Sequence, residues 1–390
     1  MRSTPNWSDP RAHLIRQRPD HALLYFCPDV LHTTADRFRD GFPGRVTYAV
    51  KANPADEVLA NLVAAGITAF DVASPSEMRA VRAHAPDAVL HYNNPVRSAD
   101  EVACAVSMGV ASCAVDCAGE LAKLVAGGVP AEAEVSVRLA LPVGGAAYDF
   151  GAKFGTTPAA AADLLRAVAG HGFTPAITFH PGTQCADPAA WATYIRAAAQ
   201  VARAAGVRPR RLNVGGGFAA HRSGPAPDLE AIFTRIRAET ARVFGRDAPD
   251  LVCEPGRAMV AEAFAMAVRV KALRDARGDA DEGGATPAQG AVFLNDGVYG
   301  GLTEIRDIGA PDRIAAIAPD GRRRRGPLRP RVVFGPTCDS IDRLPAPLPL
   351  PADLAEGDYL LIGGMGAYTR SLSTGFNGYG LHETVTVAAL

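Results

Sequence analysis

The chain has 390 residues, 48% of them apolar and 21% charged, with a formal net charge of −1. That length holds two domains, or one barrel with a substantial attachment, and the composition argues against disorder. A near-neutral chain gives no reason to expect a nucleic-acid or anionic-membrane partner.

The opening "MRSTPNWSDPRAHLIRQRPDH" is polar and has no apolar signal core. From about residue 45 to 260, β-rich runs alternate with Ala/Leu-rich helical ones. The predicted strands are "RVTYAV", "ITAFDVAS", "AVLHYNN", "VASCAVD", "EVSVRLAL", "PAITFHPG", "RRLNVGGG" and "DLVCEPGR". Between them, segments such as "ADEVLANLVAAG" and "DPAAWATYIRAAAQVARAAG" repeat apolar residues at helical spacing and stop at glycine. Eight such alternations predict a (β/α)8 TIM-type barrel, and residues of unusual chemistry cluster at the C-terminal strand ends where barrel sites form. Those are Lys51, Asp71, Asn94, His180, Gly215 to Gly217 and Glu254. The barrel is assigned to 35–262.

Beyond it, 263–390 reads as a mostly antiparallel β domain, with runs such as "AEAFAMAVRVKALRD", "GAVFLNDGVYGG" and "HETVTVAAL" parted by Gly/Pro/Asp turns. "RLPAPLPLPADL" reads as a stiff connection, and the basic run Arg322–Arg325 as a solvated loop. Seven cysteines, an odd number without zinc spacing, fit a reduced compartment and no metal site. No apolar run approaches the roughly 18 residues that span a bilayer. The expectation is a cytoplasmic chain.

The chemistry begins with Lys51 in "VTYAVKANP". An amine ending a buried strand is desolvated, which favours its neutral, nucleophilic form; a snorkelling or ion-paired lysine is the plainer alternative. "NVGGGF" lets the backbone approach an anion, and lacks the spacing of a dinucleotide site. "CEPGR" offers Glu254 for a heteroaromatic nitrogen and Arg257 for a phosphate, or else a structural pair. In "FHPGTQ", His180 can stack on a planar ring and Thr183 can donate to a phosphate oxygen. "FGPTCDSID" sets Cys338, a thiol acid or a buried filler, beside Asp339, a partner for a cationic substrate end. "GMGAYT" adds Tyr368, which reaches a phosphate or finishes a core. Together these groups describe one ligand, pyridoxal 5'-phosphate.

"YAVKANP", "FDVASPSEM", "KFG", "FHPGTQ", "NVGGGF", "EPGR", "NDGVYGG", "GPTCDSID" and "GAYT…FNGYG" stand in an order that resembles the fold-type III pyridoxal-phosphate decarboxylases, in their ornithine/lysine branch. The resemblance runs from about residue 22 to the end. It implies an alanine-racemase-like barrel and a β domain that also takes an N-terminal strand from 22–34. It implies a homodimer with shared active sites, each completed by the other subunit's "GPTCDSID" loop. Lys51 resembles the Schiff-base lysine, Glu254 the partner of the pyridine nitrogen and His180 the stacking residue. Thr183, Gly217, Gly256, Arg257 and Tyr368 fall where the family holds the phosphate, and Asp71 and Gly216 join the cofactor set. Cys338 matches the proton donor and Asp339 the residue meeting the distal amine.

Two positions depart from the family's pattern. His180-Pro181-Gly182-Thr183 replaces the usual His-Val-Gly-Ser and keeps the hydroxyl. The aspartate that follows "DGVYG" in the eukaryotic-type enzymes is missing from its register, and "GGLTE" resembles the form of some bacterial ornithine decarboxylases, which implies Glu304 as the substitute. The reaction implied is decarboxylation of a basic L-amino acid, ornithine to putrescine first. Lysine, arginine and diaminopimelate are the alternatives, followed by an amino-acid racemase or a non-catalytic carrier.

Overall fold

The computed structural model describes residues 4–144, 147, 153–274, 290–381 and 383–390. Met1 to Ser3 of the polar opening, Asp275 and His382, all at the ends of runs read above, lie outside the described residues. The chain divides into two compact units, one of residues 32–219 and 227–259, the other of residues 4–31, 220–226 and 260–390. Strand β1 (Leu23–Phe26) belongs to the second.

The first unit carries β2 (Arg45–Val46), β3 (Tyr48–Ala49), β4 (Ala69–Asp71), β5 (Val89–Tyr92), β6 (Ser112–Val115), β7 (Glu134–Leu139), β8 (Thr174–Phe179), β9 (Arg211–Asn213) and β10 (Asp250–Cys253). They pair in parallel in the order β2-β10-β9-β8-β7-β6-β5-β4-β3. Thr47 alone separates β2 from β3, so the ring closes on one strand broken in two. Both the Thr47 amide and its Oγ1 donate to the Cys253 carbonyl, at 2.9 Å each. The eight predicted strands are all present, the first of them split.

Apolar side chains drive this closure. Val135, Val137 and Leu139 of β7 are buried, as are Ile177 and Phe179 of β8. Each such side chain contributes about 2 kcal/mol when fully removed from water. Helix starts follow their caps: Thr157 accepts from the Ala160 amide ahead of Pro158–Gly170, and Asp187 from Ala189 ahead of Pro188–Ala205. The latter helix ends at Gly206 with φ 64°, a left-handed stop that glycine takes without strain.

The second unit completes with β11 (Phe264–Arg274), β12 (Ala291–Leu294), β13 (Ile314–Ile317), β14 (Leu328–Phe334), β15 (Leu348–Pro351), β16 (Tyr359–Gly363) and β17 (Glu383–Thr386). The path runs β13-β16-β11-β12-β14-β15, and β1 pairs antiparallel with β11 and parallel with β17. Five of its seven pairings are antiparallel. Leu23, Tyr25, Ala265, Ala267, Tyr359 and Val385 share its core.

Two sequence readings are corrected here. The proline-rich run contains β15, an edge strand paired with β14 in which Pro349 faces Pro330. Proline survives there because an edge strand leaves half its amides unpaired. The basic run is also more than a solvated loop: the Arg324 guanidinium takes both oxygens of Asp358, at 2.9 and 3.0 Å, and Asp358 is 0% exposed. A buried carboxylate needs that partner. Among the described residues, no helix is long and apolar enough to cross a membrane.

Candidate active site

In the barrel unit, chemistry collects at the C-terminal strand ends. After β3 the chain enters a 3-10 turn, Val50–Ala52, which projects Lys51. The turn is fixed by Tyr48, whose hydroxyl donates to the Asn53 carbonyl at 2.9 Å, and by the Ala49 amide donating to the Pro255 carbonyl at 3.2 Å. Tyr48, Ala49 and Val50 are buried, yet the Lys51 side chain is 46% exposed. The expected desolvated ammonium is therefore corrected. The strand ends before Lys51, and the amine lies 3.7 Å from Asp71 Oδ2.

Asp71 ends β4 and is 4% exposed. The next turn is locked by the helix Pro75–His84: Ser74 accepts from the Glu77 amide at 3.3 Å, and Glu77 accepts from the Ala73 amide at 2.7 Å. Burial pushes the Asp71 carboxyl up, while Lys51, the Asn93 amide and Arg138 pull it back toward the ionised form. The Asn93 side-chain amide donates to Asp71 Oδ1 at 3.2 Å and to Glu254 Oε1 at 2.7 Å. Glu254, just past β10, also accepts from the Asn213 amide on the same oxygen. Burial first, then the neighbouring charge of Asp71, pushes its carboxyl up to about 7.

The glycine run follows β9. Asn213 Oδ1 accepts from the Gly215 amide at 2.9 Å, the Glu254 amide donates to the Gly215 carbonyl at 2.8 Å, and Cys185 donates to Gly217 at 2.8 Å. Gly215 and Gly217 have φ of 69° and 81°, and a Cβ on either would run into the Phe179 or Gly182 carbonyl oxygen. A Cβ on Gly216 would come within 3.2 Å of His180 Nε2, and one on Gly217 within 3.2 Å of its Cε1. Bare backbone thus lies along the imidazole. His180 Nδ1 accepts from the Gly182 amide at 3.1 Å, which leaves the ring proton on Nε2. Burial, with Arg138 and Lys51 adding, lowers its pKa well below the usual value, so the ring is neutral.

Thr183 is buried on the His180 loop. Gly256 packs so that a Cβ would lie 3.1 Å from the Ala52 Cβ and 3.2 Å from the Ala49 Cβ, and Arg257, buried, opens the short helix Arg257–Val260. Lys51, Asp71, His180, Gly216, Gly217 and Glu254 are brought together. Three participants were missed in the sequence. Asn93 bridges the two carboxylates where Asn94 had been singled out. Asn213 orients Glu254. Arg138, on β7, acts on Glu254, Asp71 and His180. A cation inside the apolar run "EVSVRLAL" was the available signal for the last.

In the second unit, Cys338 is exposed, which removes the buried-filler reading. Its loop is clipped by buried Asp342: Oδ1 accepts from the Val298 amide at 2.9 Å, and Oδ2 from the Thr337 amide and hydroxyl at 3.0 and 2.8 Å. Asp339 Oδ2 accepts from the Tyr299 hydroxyl at 2.5 Å, which holds the carboxyl below its usual range. Glu304 heads the short helix Ile305–Ile308. Tyr368 has φ 61°, an uncommon left-handed conformation for a residue with a side chain.

The family described as "Pyridoxal-dependent decarboxylase, pyridoxal binding domain" matches residues 29–261. A decarboxylase of Aspergillus flavus, flvG, is 32% identical over 348 residues, 85% of this chain and 77% of that protein. Mouse ornithine decarboxylase is 31% identical over 347 residues, 86% of this chain and 74% of its own. The crystal structure of lysine decarboxylase from Selenomonas ruminantium superposes with a TM-score of 0.81 at 28% identity, over 98% of this chain and 97% of that one. The amine–carboxylate pair, the buried acid and the open glycine cradle against a neutral ring suit a flat phosphorylated aldehyde. This chain belongs to the pyridoxal-dependent decarboxylases and is a pyridoxal-phosphate-dependent amino-acid decarboxylase, a carbon–carbon lyase.

Proposed function

We propose that the substrate is a basic L-amino acid, with ornithine to putrescine as the reaction and lysine as the nearest alternative. The observation that carries this is Asp339. It is an accessible carboxylate held ionised by Tyr299, one residue from the thiol of Cys338. An anion in that position suits a substrate whose far end is a cation, and mouse ornithine decarboxylase and Selenomonas lysine decarboxylase are among the relatives.

Bound pyridoxal phosphate supplies the electron sink for the pair left behind by carbon dioxide. Lys51 Nζ is the amine that would hold its aldehyde end, with Asp71 beside it at 3.7 Å to hold a proton. Glu254 keeps a proton on the ring nitrogen. Neutral His180 covers the ring face without adding a second positive charge. The Gly216–Gly217 backbone, Gly256, Thr183, Arg257 and Tyr368 hold the phosphate. Cys338 Sγ returns a proton to the carbon that lost its carboxylate, and Asp339, aided by Glu304, receives the distal amine. The active form is a homodimer in which each copy's Cys338–Asp339 loop completes the other's site.

Incubating the holoprotein separately with ornithine, lysine, arginine and diaminopimelate, then identifying the amines released, tests the reading. Putrescine formed fastest supports it. No amine from ornithine, lysine or arginine sinks it.

A further inference from the structure

The mouth of the barrel holds two carboxylates on different strands, Asp71 at the end of β4 and Glu254 past β10. Between them stands one neutral side chain. Asn93 follows β5, and its single Nδ2 group donates to Asp71 Oδ1 at 3.2 Å and to Glu254 Oε1 at 2.7 Å. It is buried, and its Oδ1 has no hydrogen-bond partner among the described residues. A buried amide left half satisfied is costly, so its donor half is the part the site uses. A hydroxyl or a carboxylate in its place would supply one proton or none, whereas the NH2 carries two donors, one for each acid.

We propose that Asn93 is a positioning residue that ties the carboxylate beside Lys51 to the carboxylate assigned to the cofactor's ring nitrogen, fixing their spacing across the barrel mouth. This rests on the Glu254 assignment above.

An amide N–H favours the charged form of a carboxylate that accepts from it. The other groups acting on this pair are Lys51 and Arg138, which favour ionised acids, and Glu77, which repels Asp71; His180 is neutral. Asn213 donates to Glu254 as well, but nothing other than Asn93 donates to both acids among the described hydrogen bonds. Removing the Asn93 donor raises the pH at which Glu254 ionises. Below that pH, Glu254 is neutral and loses its attraction for a protonated ring nitrogen; above it the attraction returns.

The test uses Asn93→Ala and the isosteric Asn93→Asp, which keeps the shape and removes the donor. The dissociation constant for pyridoxal phosphate is measured by fluorescence at about pH 7.5, between the wild-type and shifted values, and at about pH 9.5, where both forms are ionised, alongside the pH profile of kcat/KM. Expected for Asn93→Ala is weaker cofactor binding at the lower pH, much less change at the higher, and an acidic limb moved up by about one pH unit. In Asn93→Asp the limb moves at least as far, because a third carboxylate joins the pair. Unchanged binding, or equal weakening at both pH values with an unmoved limb, overturns the inference, since a purely structural role is indifferent to pH. Glu254→Gln is run in parallel. If it keeps wild-type kcat, the assignment of Glu254 has failed; if it is impaired while both Asn93 variants retain the wild-type profile, this inference alone has failed.

Discussion

In the barrel unit, reactive groups are held at strand ends by buried hydrogen bonds, and their charges are tuned by neighbours. Asp71 and Glu254 both sit above the usual carboxylate range because burial outweighs the groups that pull them down. In the β unit, Cys338 is exposed and Asp339 lies below that range, because a hydroxyl meets it in water-accessible surroundings. The same residue type thus takes opposite proton affinities within one chain. The contrast matches the division of labour proposed: cofactor electronics need a low-dielectric, fixed setting, whereas a substrate's cationic end needs a carboxylate that stays ionised and reachable.

Substitutions can break this contrast, the most damaging first. Lys51→Ala should reduce turnover to background and remove the visible absorbance of the bound cofactor; a variant that kept both would end the assignment. Cys338→Ala should leave cofactor affinity intact and slow product formation roughly a hundredfold, the usual worth of a positioned general acid. Wild-type rate and product in that variant would mean that the proton comes from elsewhere. Asp339→Ala should raise KM for the basic amino acid about tenfold, the worth of one lost charge-assisted contact, without altering cofactor binding. An unchanged KM would remove the distal-amine role.

The smallest effect concerns stability. Glu254 releases its proton at about 7 in the fold against 4.5 in the unfolded chain. Between those values the folded state holds more protons, so stability falls as pH rises through that window. Without cofactor, Glu254→Gln should therefore gain Tm relative to wild type between about pH 4 and pH 8. A Tm difference that stays flat with pH would contradict the buried-acid account of the barrel site.

Much of this was legible along the chain. Strand, glycine and carboxylate stand together in "RRLNVGGG" and "DLVCEPGR", and alternation with helices located Lys51, His180 and Glu254 at one end of a barrel. Choosing between Asn93 and Asn94 was not possible in this way, since both end the same run and only the twist of the strand decides which side chain turns toward Glu254. Arg138 was hidden for the opposite reason, lying within a run whose apolar neighbours define the strand. The exposure of Lys51 depends on a turn of three residues, and "LPLP" becomes a strand only because β14 offers it an edge.

The sequence by itself determined the order of elements, the eight-fold alternation and the residue types required for pyridoxal-phosphate chemistry, because periodicity and turn chemistry are local. Tertiary structure alone decided which carboxylates share one amide, which aspartate meets a tyrosine and how far each proton affinity moves. Those quantities depend on distance and burial between residues far apart in the chain, Asn93 and Glu254 being 161 positions apart, and no local pattern encodes them.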